Sequence, residues 1–204
     1  VSRMRLAWIF PVFLASCSFG GGDRDDPELV TRGAVCGDPS IQGVVVGDVP
    51  GNGACGIANA VEVDAVSGVL LSTPATMNCR TARTLNAWVK NDMKPIVGKT
   101  GGGVKSLKVA AHYVCRTRNH KRGARLSEHS KGNAIDISAF LLRDGTDISV
   151  LNDWGAGKRG KILRQLHGSA CGPFGTVLGP GSDGYHRDHF HFDTAEHRNG
   201  SYCR

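Results

Sequence analysis

Residues 186–193 read HRDHFHFD, which places three of the chain's eight histidines and two aspartates within eight positions. Along an extended strand side chains alternate between faces, so His189 and His191 share one side and Phe190 and Phe192 the other. Such a strand offers two imidazoles to a cleft and two phenyl rings to a core. Asp188 stands at its start, and His186 lies in the turn before it. Imidazoles spaced i, i+2 can both ligate a metal, or one can ligate while the other handles protons. Upstream, SEHSKGNAID supplies His129 and, seven residues on, Asp136, with Gly132 permitting a close turn between them. A histidine, a carboxylate and a distant histidine suffice to hold catalytic Zn2+, one per chain, with a fourth position left for water. Zinc acidifies that water and polarises a carbonyl, and a further imidazole or carboxylate can take the proton.

Either half of this pattern is weak alone. The joint string is stronger: Ser127, His129, Gly132, Ala134 and Asp136 form S-x-H-x2-G-x-A-x-D, and H-x-H follows about fifty residues later. The pair resembles the zinc peptidases of the D-alanyl-D-alanine carboxypeptidase and dipeptidase group, related in fold to lysostaphin-type and hedgehog domains. HRDHFH has the histidine spacing of the murein endopeptidases in that group. The chain resembles still more closely the extensin-like C-terminal domain family of bacteria, through YVCR, LSEHSKGNAIDISAF, ACGPFGTVLGP, HRDHFHFD and the last cysteine, over roughly residues 33–204. The resemblance implies His129, Asp136 and His191 as zinc ligands. It puts His189 where a second histidine assists catalysis and His186 where the endopeptidases keep a further one. Asp188 falls where the dipeptidases keep a glutamate base, so the main base is either Asp188 or His189. Arg116 matches an arginine that binds substrate or stabilises the oxyanion, with Arg118 two residues on. Ser127 either orients His129 or hydrogen-bonds the substrate. The chain departs from the peptidases in having phenylalanine where several have tryptophan beside the last ligand.

These residues need elements to position them. NAIDISAF reads as a strand with Ala134, Asp136 and Ser138 on one face and Ile135 and Ile137 on the other. HFHFD and FGTVLGP are further short strands, and a β-branched run predicts one at about 104–115. Residues 36–75 carry apolar runs that predict strands or hairpins. Thr73 as cap, Pro74 in the first turn and a stripe of Met77, Ala82, Leu85 and Trp88 predict a helix at about 76–92, ended by Pro95. A second helix is predicted at about 157–168. Few helices and several non-adjacent strands argue for an α+β domain. The resemblance makes it a hedgehog/DD-peptidase-like domain with a small central antiparallel sheet flanked by helices. His112 reads as structural, His120, His167 and His197 as solvated. Asp193 braces the strand or a ligand histidine.

The whole chain fixes the setting. Its 204 residues suffice for one sizeable domain. Residues 1–17 join Arg3 and Arg5 to a short apolar stretch and end in LASC, which resembles a bacterial lipobox with Cys17 as the lipidated residue. The plainer alternative is an ordinary signal peptide. The glycine-rich polar residues 18–32 read as a flexible tether, and Ser18 matches outer-membrane sorting. Cleavage before Cys17 removes Arg3 and Arg5 and no acid, so 23 basic and 18 acidic side chains leave +5. That excess suits an anionic envelope polymer such as peptidoglycan, or a membrane surface. No basic stretch is interleaved with aromatics, which argues against nucleic acid. Beyond Cys17 the cysteines are Cys36, Cys55, Cys79, Cys115, Cys171 and Cys203, with no CxxC pair. In an exported protein they read as three disulfides, and pairing sequence neighbours gives 36–55, 79–115 and 171–203. A cysteine zinc site competes with that reading. The expectation is a zinc peptidase acting on peptidoglycan stem peptides in the periplasm, anchored to the outer membrane. The rival is a module that grips peptidoglycan, or scaffolds an envelope protein partner, without turnover.

Overall fold

A computed structural model describes Val1 and residues 32–155 and 157–204. The expected signal segment, Cys17 and the tether up to residue 31 lie outside the described residues. Among those described, no helix is long and apolar enough to cross a membrane.

The chain first runs up and down through four antiparallel strands: β1 (Gly33–Val35), β2 (Asp38–Pro50), β3 (Gly56–Val66) and β4 (Val69–Met77). Valine is the commonest residue of β2 and, with alanine, of β3, and it fits a pleated surface. Helix α1 (Cys79–Trp88) follows, then a π-helical turn at Val89–Met93 and the single turn α2 (Lys94–Val97). This crossover brings β5 (Val104–Ala111) parallel to β4, joined at Leu70↔Ser106 and Leu71↔Leu107. Strand β6 (Ala134–Leu142) returns antiparallel to β5. The chain continues through β7 (Asp147–Ser149), α3 (Val150–Asp153), α4 (Gly157–Ala170), β8 (Thr176–Leu178), β9 (Phe190–Asp193) and β10 (Tyr202–Cys203). One sheet of ten strands results, in the order β1-β2-β3-β4-β5-β6-β9-β8-β10, with β7 beside the distal part of β6. The architecture is mixed α+β. The sheet is larger than the small one expected, and it is not wholly antiparallel, because β4–β5 and β8–β10 pair in parallel.

Phe190 and Phe192 turn into the core, as their alternation requires. Phe192 meets Trp88 of α1 with ring centroids 5.1 Å apart and stacks on Phe174 at 4.9 Å. Phe190 meets Trp154 and His167 at 5.6 and 5.3 Å. Helices α1 and α4 therefore cover the phenyl face of β9, and His191 lies on the other. Each fully buried aromatic side chain contributes about 1.5–3 kcal/mol, so β9 is anchored from behind.

Several expectations need correction. The first helix begins at Cys79, capped by Asn78, whose side chain accepts from the Thr81 N–H. Thr73 and Pro74 belong to β4 because the ladder to β3 runs on to Met77↔Val61. Strand β5 pairs with β4 only at Leu70 and Leu71, so Pro74 withholds its missing N–H from no strand on that side. Pro95 does not stop the helix; it enters the first turn of α2, where a missing donor is tolerated. Strand β5 ends at Ala111, before His112. His167 is half-buried rather than solvated, because it extends the buried stripe Leu163, Leu166 and Ala170 of α4.

Three disulfides close, but two pairings differ from the neighbour scheme: Cys36–Cys79, Cys55–Cys115 and Cys171–Cys203. The reason is topological. The start of α1 returns to the β1–β2 turn, and the loop after β5 returns to the β2–β3 turn, so each bridge joins elements far apart in sequence.

Candidate metal centre

His129 is set by a 3-10 turn, Glu128–Lys131. Ser127 caps it by accepting the His129 N–H at 3.4 Å. The chain leaves through Gly132 in the left-handed region, φ 66°, where a Cβ would stand 2.4 Å from Ile57 Cδ1. Only glycine fits both the conformation and the space. Four residues later Asp136 lies on β6, and the antiparallel register sets it opposite His191 of β9. Ile135 and Ile137, its neighbours, are fully buried on the core side.

The three side chains meet at one place. His191 Nδ1 is 2.8 Å from Asp136 Oδ1, His129 Nε2 is 3.1 Å from the same oxygen, and the two ring nitrogens are 3.2 Å apart. The outer ring nitrogens fix what the inner ones carry. His129 Nδ1 faces the His112 carbonyl at 2.7 Å, so it must donate. His191 Nε2 faces Asp193 Oδ2 at 3.0 Å and must donate too. In neutral rings Nε2 of His129 and Nδ1 of His191 are then bare lone pairs directed at a carboxylate oxygen. Three converging lone pairs repel unless a proton or a cation lies between them. Without a cation the proton is held tightly. Burial alone would lower the His191 pKa, but Asp136 and Asp193 outweigh it and raise it to about 9. Burial likewise opposes ionisation of Asp136, and the two histidines overcome it, holding the carboxyl well below the usual range. The donor set fits zinc: nitrogen and oxygen ligands bound tetrahedrally at about 2.0–2.1 Å lie roughly 3.3 Å from one another. Their braced outer nitrogens match the pattern by which proteins orient metal-bound histidines.

Two more imidazoles adjoin the trio. His189 Nδ1 donates to Asp188 Oδ1 at 2.8 Å, leaving its Nε2 3.6 Å from Asp136 Oδ2. Asp188 is 62% exposed and stands behind His189. His186 donates through Nδ1 to Asp183 at 2.7 Å and lies 5.2 Å from the His189 ring and 5.8 Å from that of His191. Four histidines thus each direct one ring N–H to an acceptor, which leaves the other ring nitrogen as a bare lone pair.

His191 opens the trio onto a cavity of about 220 Å³, which His186, Ser127, Arg116 and Arg118 also line, among others. Arg116 and Arg118 come from the segment after Cys115, which the Cys55–Cys115 bridge ties down and which pairs back on residues 125–127 through Arg118 N–H to Arg125 O and Ser127 N–H to Arg116 O. Arg118 is committed to Glu128 at 3.8 Å. The structure therefore gathers His129, Asp136, His191, His189 and His186 in one cluster, and His191 and His186 share the adjoining cavity's lining with Arg116 and Ser127. His112 is structural, as expected: its ring accepts the Thr76 N–H and its carbonyl holds His129. His120 is exposed, and His197 is exposed but bonds Thr176 Oγ1 at 2.9 Å. Sequence reasoning missed Asp183, whose only signal is its place three residues before His186 in a glycine-flanked turn.

Comparison with protein families gives one match, to the family described as extensin-like protein C-terminus, over residues 42–204. No curated protein and no solved structure matches the chain.

Proposed function

The chain belongs to the extensin-like C-terminal family, and from the lone pairs that converge between His129, Asp136 and His191 we propose that it is a zinc-dependent amide-bond hydrolase of peptidoglycan. That convergence is the observation that carries the reading. When bound, a zinc ion supplies Lewis acidity for a carbonyl oxygen and acidifies water. The other tasks fall to the chain's own groups. His129, Asp136 and His191 hold the ion, braced by the His112 carbonyl and Asp193. His189 takes the proton at Nε2 and returns it to the departing amine, while Asp188 holds its Nδ1–H and steadies the charged ring. The choice of His189 over Asp188 is supported by its Nε2 lying 3.6 Å from Asp136 Oδ2 while its Nδ1 is 2.8 Å from Asp188 Oδ1. Arg116 pairs with a carboxylate or carbonyl oxygen of the substrate from across the cavity.

The substrate class rests on the resemblance to D-alanyl-D-alanine peptidases and murein endopeptidases, and it makes the reaction cleavage of a stem peptide or cross-link. Within that reading the domain shares the hedgehog/DD-peptidase fold. Three disulfides support an oxidising compartment; with LASC in the sequence, the reading places the protein in the periplasm, held to the outer membrane through Cys17.

The test is digestion of purified peptidoglycan sacculi by the zinc-loaded protein, with His191→Ala alongside, followed by separation and mass analysis of the muropeptides. New products from the wild type alone are expected, and their masses name the bond. Identical profiles from both, with one zinc per wild-type chain, would overturn the hydrolase reading in favour of a non-catalytic peptidoglycan-binding module.

A further inference from the structure

His186 is buried, and its ring packs against those of His189 and His191. Its Nδ1 lies 2.7 Å from Asp183 Oδ1, which also accepts the backbone N–H groups of Tyr185 at 2.8 Å and of His186 at 3.2 Å. One carboxylate oxygen thus fixes both the turn and the ring that the turn carries. A carboxylate only accepts, so Nδ1 bears the hydrogen and Nε2 is a bare acceptor. Among the described residues that Nε2 has no hydrogen-bond partner. Among the described residues the buried side-chain nitrogen or oxygen without a partner is His167 Nε2, so His186 Nε2 is open to solvent, and His186 is among the residues that line the cavity.

The rest of the lining gives this acceptor its meaning. Arg116 and Arg118 can only donate. Glu128 is engaged by Arg118, Lys131 and Asn133, and Asp193 by His191 and the Ala195 N–H. Among the described residues an uncommitted acceptor therefore stands at His186, in a cavity that Arg116 and Arg118 also line. We propose that Asp183 is a positioning residue: it locks His186 in the Nδ1–H tautomer so that Nε2 receives an N–H of the substrate while Arg116 takes an oxygen of the same substrate. The matching ligand is an amide or amine bearing a carbonyl or carboxylate nearby, as in a peptide. This goes beyond the hydrolase reading, on which only its kinetic arm rests.

The test uses the zinc-loaded full chain, labelled with nitrogen-15 at histidine, and two substitutions. Asp183→Asn keeps an oxygen where Oδ1 stands and should preserve the turn and the tautomer. Asp183→Ser can still accept the Tyr185 N–H but is too short to hold the ring. Imidazole nitrogen shifts should show Nδ1–H at His186 in the wild type and in Asp183→Asn, and a mixture of tautomers in Asp183→Ser. Zinc content should stay at one per chain throughout. In the muropeptide assay kcat/KM should fall roughly 10- to 100-fold in Asp183→Ser and by a few-fold at most in Asp183→Asn. An Nε2–H tautomer in the wild type, or an unchanged tautomer and unchanged turnover in Asp183→Ser, would overturn the proposal. A wild type without hydrolysis would sink the hydrolase reading alone, because the tautomer measurement needs no substrate.

Discussion

Asp136 and His191 stand opposite one another on the neighbouring strands β6 and β9, with His191 Nδ1 2.8 Å from Asp136 Oδ1. Two of the three donors are therefore rungs of a sheet, backed by Phe192 and Trp88 on the other face. The third, His129, comes from a short turn that depends on Ser127, Gly132 and the His112 carbonyl. This division decides which substitutions harm the site by removing a donor and which by misplacing one.

Removing a donor should differ in degree from removing its brace. His191→Ala should abolish stoichiometric zinc binding. Asp193→Ala leaves three donors but frees the His191 ring, and should weaken binding roughly 10- to 100-fold. Competition against a chromophoric chelator measures both. An unchanged affinity in Asp193→Ala would show that Asp193 only ties the strand to the Ala195 N–H.

The metal-free protein should lose stability on both sides of about pH 6.5. His191, raised to about 9 by Asp136 and Asp193 against burial, contributes stability that is fully present below its unfolded value of about 6.5 and lost as pH rises through about 9. His112, His167 and His186 are lowered by burial, so their contributions are present above about 6.5 and lost as pH falls. Asp136, lowered by its histidines, keeps its share until far into the acid range. Zinc displaces the His191 proton, so the rise in Tm on adding zinc should grow from pH 6 to pH 9. Thermal melts with zinc and with a chelator test this. A Tm shift that shrinks over that window would contradict the lone-pair assignment.

The residues legible in the sequence were those whose arrangement is local. HFHFD and NAIDISAF carry a period of two, so the outward His191 and Asp136 and the inward Phe190, Phe192, Ile135 and Ile137 follow from chain geometry alone. What pairs at long range was not legible. Nothing near Cys36 in the sequence distinguishes Cys55 from Cys79, because the choice is made by the return of α1 to the β1–β2 turn. The helix start failed for a related reason: Thr73 and Pro74 read locally as a cap, but pairing with β3 keeps the chain extended through Met77. The sheet's extent escaped because the parallel pair β4–β5 spans a helical crossover. Asp183 escaped because an acceptor three residues from a histidine matters only once the turn is formed.

The Cys55–Cys115 bridge should hold the substrate side of the site more than the metal. It closes a separation of 60 residues, for which loop entropy gives about 4 kcal/mol, and it lies next to Arg116. Cys55→Ser with Cys115→Ser should lower stability by an amount of that order in denaturant unfolding. It should also raise KM for muropeptides more than it lowers kcat, with zinc affinity nearly unchanged. A loss of zinc from this variant would mean that the segment from 112 to 127 also holds the His129 turn through the His112 carbonyl.

Gly132→Ala should displace His129 without touching a donor. The substitution incurs two penalties. The left-handed backbone at φ 66° costs about 1–2 kcal/mol for a residue with a Cβ, and that Cβ would press against Ile57 Cδ1 and Cγ1 at 2.4 and 2.8 Å. Gly145 supplies the control: its φ is 87° and a Cβ there meets nothing within 4 Å. Gly145→Ala should therefore show the backbone penalty alone and bind zinc normally. Gly132→Ala should lose more stability than Gly145→Ala and bind zinc markedly more weakly. Adding Ile57→Ala removes the two nearest clashing atoms and leaves the Asn78 backbone nitrogen at 3.1 Å, so the double variant should recover part of the zinc affinity although Ile57→Ala alone destabilises the fold. The same isothermal titration on all four variants decides it. No recovery in the double variant would assign the defect to backbone strain, and normal zinc binding in Gly132→Ala would mean that the turn does not position His129.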